Sequence, residues 1–351
     1  VKLNFEVSVA AGEIDERFAD ADLIVACDGI NSAIREAHSG PDGFDVSVSI
    51  RSNRFCWMGS TRPLTDFTFF FRETEHGVVC AHTYQYTRER STWVFEMSDE
   101  CWQGLGFDGL DEQASAAALE ALFADELNGH PLILNRSYWR QFPRIFCNRW
   151  HVGKTAILGD AKASAHFSIG SGTKLAMDCA IGLHEATIEH LESDGLDKVF
   201  AAYDKARRTP VQITQHNADV SLAWFEHMER SFDMDPYQFA MVLMCRAKSV
   251  TYDNLRLRDP EFVAKADAEW MQRLYEETGD DYRERSPTPM FTRFDFCFNQ
   301  LLKILLITPV VLFGLACELA VASTHAGKLQ SSHQDFKGWS VHCATSQSNW
   351  S

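Results

Sequence analysis

Two stretches of this 351-residue chain break off in the same way. Residues 22–35 read DLIVACDGINSAIR, and residues 155–183 read TAILGDAKASAHFSIGSGTKLAMDCAIGL. In each, a short apolar run with the look of a β-strand ends in an Asp beside a Gly: Asp28-Gly29 in the first, Gly159-Asp160 in the second. In open α/β sheets the carboxyl ends of the strands open onto a crevice, and nucleotide-like ligands sit there. Two such ends, more than a hundred residues apart, predict one large ligand spanning both.

The residue types around the second end suit a flat cofactor with a sugar-alcohol arm. A carboxylate at Asp160 accepts hydrogen bonds from hydroxyl groups. Gly170, Ser171, Gly172 and Thr173 lead into a helix predicted over 172–192. Glycines there let the backbone approach a flat ring, and the helix N-terminus offers free N–H groups and positive potential. Such a helix end steadies negative charge on a reduced flavin. Gly-Ser-Gly alone is also a plain strand–turn–helix connection; Asp160 before it and Asp28-Gly29 elsewhere tip the reading to a cofactor. The first end has the spacing D-G-x-x-S-x-x-R, formed by Asp28, Gly29, Ser32 and Arg35. Ser32 is placed to cap the following helix. Arg35, one turn on, is placed to hold Asp28 or reach a pyrophosphate; a capped helix with a surface ion pair is the plainer alternative.

Composition narrows the class. The net charge of −16 argues against nucleic acid as a partner. Ten cysteines without a C-x-x-C pair read as reduced thiols of a cytoplasmic protein, not as disulfides or a zinc site. The length suits about two domains, and no signal peptide is visible. The chain opens on Val1 in a strand-like run over 1–10, and no G-x-G-x-x-G precedes the first Asp-Gly end, so a truncated start is expected. Only Glu318 and Asp335 of the 49 acidic residues lie in 297–351. Within that tail, 304–317 is an uncharged apolar run of 14 residues with Pro309 inside it, shorter than the roughly 20 a membrane span needs. A buried strand or a non-native segment is expected there rather than a span.

Between the two Asp-Gly ends the pattern changes. DFTFFFR (66–72), GVVCAHTYQY (77–86) and STWVFEM (91–97) are aromatic and β-branched, and predict a sheet of their own. Helical spacing follows over 111–128, and again over 195–230 and 260–276. Two apparent metal patterns are weak. His184 and His190 in HEATIEH are six apart, about 120° from each other around a helix, unlike the four of H-E-x-x-H. His76, Cys80 and His82 would share one strand face, but no fourth ligand presents itself. No G-x-S-x-G elbow supports a serine hydrolase.

Taken together, DGINSAIR and GDA, over roughly residues 1–230, resemble the single-component FAD-dependent aromatic hydroxylases. AHFSIGSGTKLAM (165–177) and NLRLRDPEFVA (254–264) are similar to the branch acting on aromatic CoA thioesters, that of salicyloyl-CoA 5-hydroxylase and anthraniloyl-CoA monooxygenase. The resemblance implies an α/β (α+β) fold: a three-layer FAD-binding domain with an inserted substrate-binding β-sheet and a helical C-terminal segment. The expected parts are 1–47, the FAD-binding domain without its first strand; 48–150, the substrate sheet with a helix; 151–195, the return to the FAD-binding domain; 196–285, helical; and 286–351, an aberrant tail. In the last, SPTPMFTRFDF (286–296) is similar to the opening of an Old Yellow Enzyme-like reductase domain.

The same resemblance implies FAD and NAD(P)H as cofactors, O2 as co-substrate, and a small aromatic substrate carried as a CoA thioester. It leaves room for a homo-oligomer. Asp28, Gly29, Ser32, Arg35, Gly159, Asp160, Gly170, Ser171, Gly172 and Thr173 are the expected cofactor contacts. His166, Phe167 and Ser168 are the expected ring-facing loop, with Phe167 packing on the substrate and His166 as a hydrogen-bond partner. Arg54, Arg62, Arg140 and Arg144 are the expected partners for CoA phosphates. Three departures stand out: Ala163 replaces a His, Cys179 replaces an Asp, and His166-Phe167 replace a Pro pair. The first two bear on cofactor affinity, the third on substrate class. The competing expectations are a non-catalytic remnant and an FAD-dependent oxidoreductase without oxygen insertion.

Overall fold

The computed structural model describes residues 4–279 and 339–341. Among these, 4–233 with 242–251 form one compact unit, and 234–241 with 252–279 belong to a second. The fold is α/β, as expected, and the described residues contain no barrel.

The first unit begins with α1 (Ile14–Arg17), β1 (Ile24–Ala26) and α2 (Ala33–Ala37). Four long strands follow: β2 (Val46–Ser60), β3 (Phe67–Thr74), β4 (Gly77–Thr87) and β5 (Arg90–Met97). Next come α3 (Asp99–Gly104), α4 (Glu112–Leu122), α5 (Ala124–Leu127), β6 (Leu132–Ile133) and β7 (Arg140–Cys147). The chain then returns through β8 (His151–Val152) and β9 (Thr155–Ile157) to α6 (Gly172–His190) and α7 (Leu196–Phe225).

The return strand meets the first one. β9 lies parallel to β1, with Ile24, Val25 and Ala26 opposite Thr155, Ala156 and Ile157. Leu158 N donates to Ala26 O at 3.0 Å, so the pairing persists to the strand ends. Ala156, Ile157 and Leu158 bury against Leu175, Cys179 and Leu183 of α6, with Val199, Phe200 and Tyr203 of α7 in the same core. Parallel pairing is what places Asp28-Gly29 and Gly159-Asp160 side by side.

The inserted sheet runs in the order β3-β4-β5-β2, with β6 and β7 both pairing with β2. Side chains alternate between its two faces. On one face Cys56, Met58, Phe70, Val79, Ala81, Trp93, Phe95 and Met97 bury against Leu119 and Phe123, beside α4. The register puts Phe55 opposite Glu96, Glu96 opposite Cys80 and Cys80 opposite Phe71; the next row is Trp57, Val94, His82 and Phe69. These two rows occupy the other face.

The remaining helices are α8 (Pro236–Cys245), α9 (Tyr252–Arg258) and α10 (Pro260–Thr278). The ends of α10 are written in its sequence. Asp259 accepts from Phe262 N at 2.9 Å, Pro260 opens the first turn, and Gly279 closes it at φ +70°.

Two expectations change. Residues 4–10 are not a strand: Phe5 is 79% exposed, and among the described residues no ladder partner takes up their backbone groups. The helix expected over 195–230 ends at Phe225, before a short 3-10 turn at Met228–Ser231. The apolar run 304–317 and the reductase-like 286–296 lie outside the described residues. Among the described residues no helix is long and apolar enough to cross a membrane.

Leu119 is fully buried between α4 and the sheet. Leu119→Ala should lower the unfolding free energy in urea by about 2–5 kcal/mol. Ile188→Ala, at a side chain 72% exposed on α6, should change it by less than about 0.5 kcal/mol.

Candidate functional site

The crevice is built from the two strand ends. Gly29, at φ +83°, turns the chain after β1, and Asp28 Oδ2 accepts from Ile34 N at 3.4 Å. Ser32 caps α2 as expected, its Oγ accepting from Arg35 N at 3.0 Å. Arg35 does not pair with Asp28. Its side chain is buried and donates to Ile30 O at 2.8 Å and to Ala161 O at 3.1 Å. The first motif is thereby fastened to the backbone of the second.

On the second side Asp160 receives no hydrogen bond from the described residues, and burial pushes its carboxyl above the usual range. Gly170, at φ +61°, makes the left-handed turn into α6. No side chain caps that helix, and a Cβ at Gly170 or Gly172 would project into open space. Ser171 Oγ donates to Ile169 O, while Thr173 is exposed in the first turn. A free carboxylate for hydroxyls, an uncapped helix end and an open glycine shelf fit a flavin with its sugar-alcohol arm.

The loop before that shelf meets the inserted sheet. Phe167 is half-buried, with its ring centroid 5.1 Å from Phe55, 5.3 Å from His82 and 6.1 Å from Trp57. Phe142 of β7 joins them at 6.3 Å. His166 and Ser168, expected beside Phe167 at the substrate, are instead turned inward and buried. The reason is a polar cluster under the loop: His166 Nδ1 lies 2.9 Å from Ser168 Oγ, and its Nε2 lies 3.9 Å from Glu96. Burial pulls the His166 imidazole down to about 4.

A second buried cluster sits around Cys179, one of the positions singled out in the sequence. Lys162 is 1% exposed; its Nζ lies 2.8 Å from Tyr203 Oη, 3.2 Å from Cys179 Sγ and 3.5 Å from the centre of the Trp150 ring. Burial pulls its ammonium down to about 8. No spacing rule pointed to Lys162, Glu96, Ser221 or Arg246. Strand parity did put His82 on an inner face with Cys80, but His76 lies in the turn before β4. No metal-holding group of His, Cys, Asp or Glu occurs among the described residues.

Fold and crevice together define a flavin-binding protein. The chain belongs to the FAD binding domain family, whose model matches residues 7–218. Salicyloyl-CoA 5-hydroxylase of a Streptomyces species is 36% identical, over 72% of this chain and 50% of its own length. The 3-hydroxy-4-methyl-anthranilyl-(aryl-carrier protein) 5-monooxygenase of Streptosporangium sibiricum is 34% identical over 63% of this chain and 60% of its own. Protodeoxyviolaceinate monooxygenase of Chromobacterium violaceum is 31% identical over 66% of this chain and 61% of its own. The chain thus spans about half to three-fifths of the length of these relatives.

The Lys162 cage gives a pH signature. Its folded value near 8 lies below the ordinary 10.5, so between them the unfolded chain binds more protons and stability rises with pH. Below pH 8 the cost of the buried charge is constant. Relative to Lys162→Met, the wild-type chain should therefore gain about 2 kcal/mol between pH 7.5 and 9.5. Denaturant unfolding of both at each pH measures it.

Proposed function

We propose that the chain is the FAD- and substrate-holding part of an NAD(P)H-dependent monooxygenase that hydroxylates an aromatic ring presented as a CoA thioester. The observation that carries this reading is the aromatic wall of Phe55, Trp57, Phe142 and Phe167 beside the glycine shelf of 170–172. Two relatives act, by name, on thioester-linked aromatic acids, one on CoA and one on a carrier protein. In this reading residues 48–150 are the substrate-binding part.

FAD, when bound and reduced by NAD(P)H, supplies the chemistry that activates O2 for transfer to the ring. The chain's residues do the rest. Asp160 accepts hydrogen bonds from the cofactor's hydroxyls. The first turn of α6, from Gly172 and Thr173, steadies negative charge on the flavin ring. Phe167 and its neighbours hold the substrate ring flat and exclude water.

The register sorts the four arginines expected at the CoA phosphates. Arg54 pairs with Asp99, and Arg144 with Asp219 on α7. Arg62 stacks over Phe70, on the face turned toward α4. Arg140 stands directly opposite Phe55 on β7, so it shares the face of the aromatic wall, and it carries no carboxylate partner among the described residues. It is the one of the four best placed for a phosphate. CoA binding far from the reacting ring would contribute the energy that positions that ring.

Coupled NAD(P)H and O2 consumption tests the reading. Salicyloyl-CoA should turn over far faster than salicylate, and equal turnover would remove the CoA assignment. Arg140→Ala should raise KM for the thioester about 3- to 10-fold and leave the free acid unaffected, the size of one charge-assisted hydrogen bond at a wet surface. Asp160→Ala should weaken FAD binding by about 1–3 kcal/mol, read by flavin fluorescence titration. Unchanged FAD affinity would take Asp160 out of the site.

A further inference from the structure

Glu96 is a carboxylate with no solvent exposure, in the middle of the inserted sheet. Both of its oxygens are engaged. Oε1 accepts from Asn53 Nδ2 at 3.0 Å, and Oε2 lies 2.9 Å from His82 Nε2. Burial pushes the Glu96 carboxyl up, and the hydrogen bonds from His82 and Asn53 are among the interactions that outweigh it and hold it below its usual value. With the Asn53 amide on one oxygen and the His82 imidazole on the other, Glu96 sits as a carboxylate that only accepts.

The direction of the hydrogen bonds around it follows from donor chemistry. An ionised Glu96 requires the His82 proton on Nε2. His166 Nδ1 accepts from Ser168 N at 3.4 Å, so its proton is on Nε2, the nitrogen 3.9 Å from Glu96 Oε1. Ser168 Oγ, 2.9 Å from His166 Nδ1, must then donate to it and accept from Ser221 Oγ at 2.7 Å. Ser221 Oγ accepts in turn from Arg246 Nε at 3.0 Å, since a guanidinium only donates. Arg246 Nη2 also holds Ser168 O at 2.7 Å. One chain of donors thus runs Arg246, Ser221, Ser168, His166, and points at Glu96.

We propose that Glu96 is a positioning residue for the 166–168 loop: its carboxylate fixes His82 in the Nε2–H form at 2.9 Å and faces the Nε2–H of His166 at 3.9 Å, and so anchors the end of the hydrogen-bond chain that holds Phe167 against Phe55 and Trp57. This rests on the reading of that loop as the wall of the substrate site. An apolar side chain at 96 would leave the His82 Nε2–H without its acceptor in a dry interior, where an unmade hydrogen bond is costly, and a neutral one would remove the anion that the His166 Nε2–H faces. The other charged or titratable groups around the cluster are Cys80, whose thiol burial pushes well up, Arg246, and Glu226, which Arg51 and Ser52 hold. None of them competes for Glu96's two oxygens.

The test starts with the full chain labelled with 15N-histidine. Long-range 15N–1H spectra at pH 7 should show His82 and His166 both neutral and both protonated on Nε2. An Nδ1–H form at His166, or a charged ring at either site, overturns the proposal. Glu96→Gln, which keeps the size and removes the charge, should move the Nε2–H resonances of both rings and weaken salicyloyl-CoA binding about tenfold or more, while FAD affinity stays unchanged. Unmoved resonances overturn it.

If Glu96→Gln does not fold, Ser221→Ala carries the same test two links away. It should move the His166 signals and leave those of His82 in place; an unmoved His166 overturns the chain of donors. Failure of salicyloyl-CoA to bind the unsubstituted protein counts against the substrate reading alone, because the tautomer spectra need no ligand.

Discussion

The parallel pairing of β1 with β9 is the constraint on which the rest of the structure depends. Each strand is only three residues long, and neither could hold a ligand alone. Their register aligns two Asp-Gly turns, and the chain between them has to leave and return. That detour is the inserted sheet, and its return through β7 and β8 delivers the 166–168 loop against the sheet's inner face. Arg35 secures the crossing. Its buried guanidinium ties Ile30 O to Ala161 O, replacing bonds to water that those carbonyls lose on burial.

The inserted sheet is asymmetric for a physical reason. One face is mostly apolar, with Thr68, Thr83 and Ser91 among its polar members, and packs against the α4 side with Trp93, Phe95, Leu119 and Phe123 all fully buried. The other face mixes aromatics with Glu96 and His82. Buried charge is expensive unless every polar atom is matched. Glu96 meets that condition on both oxygens, whereas His82 Nδ1 is left buried with no partner. Hydrophobic packing could have filled this space at lower cost. The polar cluster instead gives the loop a defined orientation, because hydrogen bonds are directional and apolar contacts are not.

The departures near the second Asp-Gly turn have a common structural setting. Cys179 is buried on α6 and meets Lys162, which reaches back from the residue after the GDA turn. Trp150 and Tyr203 complete the cage with a ring face and a hydroxyl. A lysine in such a place carries its charge against burial, offset by the cation–π contact and the Tyr203 oxygen.

What the sequence determined was local. An apolar run ending in Asp-Gly, Ser32 three residues before Arg35, Asp259 ahead of Pro260, and alternating aromatics each act through neighbours a few residues away, so each could be read from the string alone. The two Asp-Gly strand ends and the separate aromatic sheet were legible for that reason. Where a side chain finds its partner far along the chain, only the tertiary structure decided the outcome. Arg35 could have met Asp28 but met Ala161, 126 residues on. His166 could have faced the substrate, but it turns inward beside a carboxylate 70 positions earlier and onto Ser168, which a serine 53 positions further on holds in turn. Spacing along a chain sets which face a residue occupies. It does not say which groups will be buried opposite, and burial is what makes a hydrogen bond or a charge decisive.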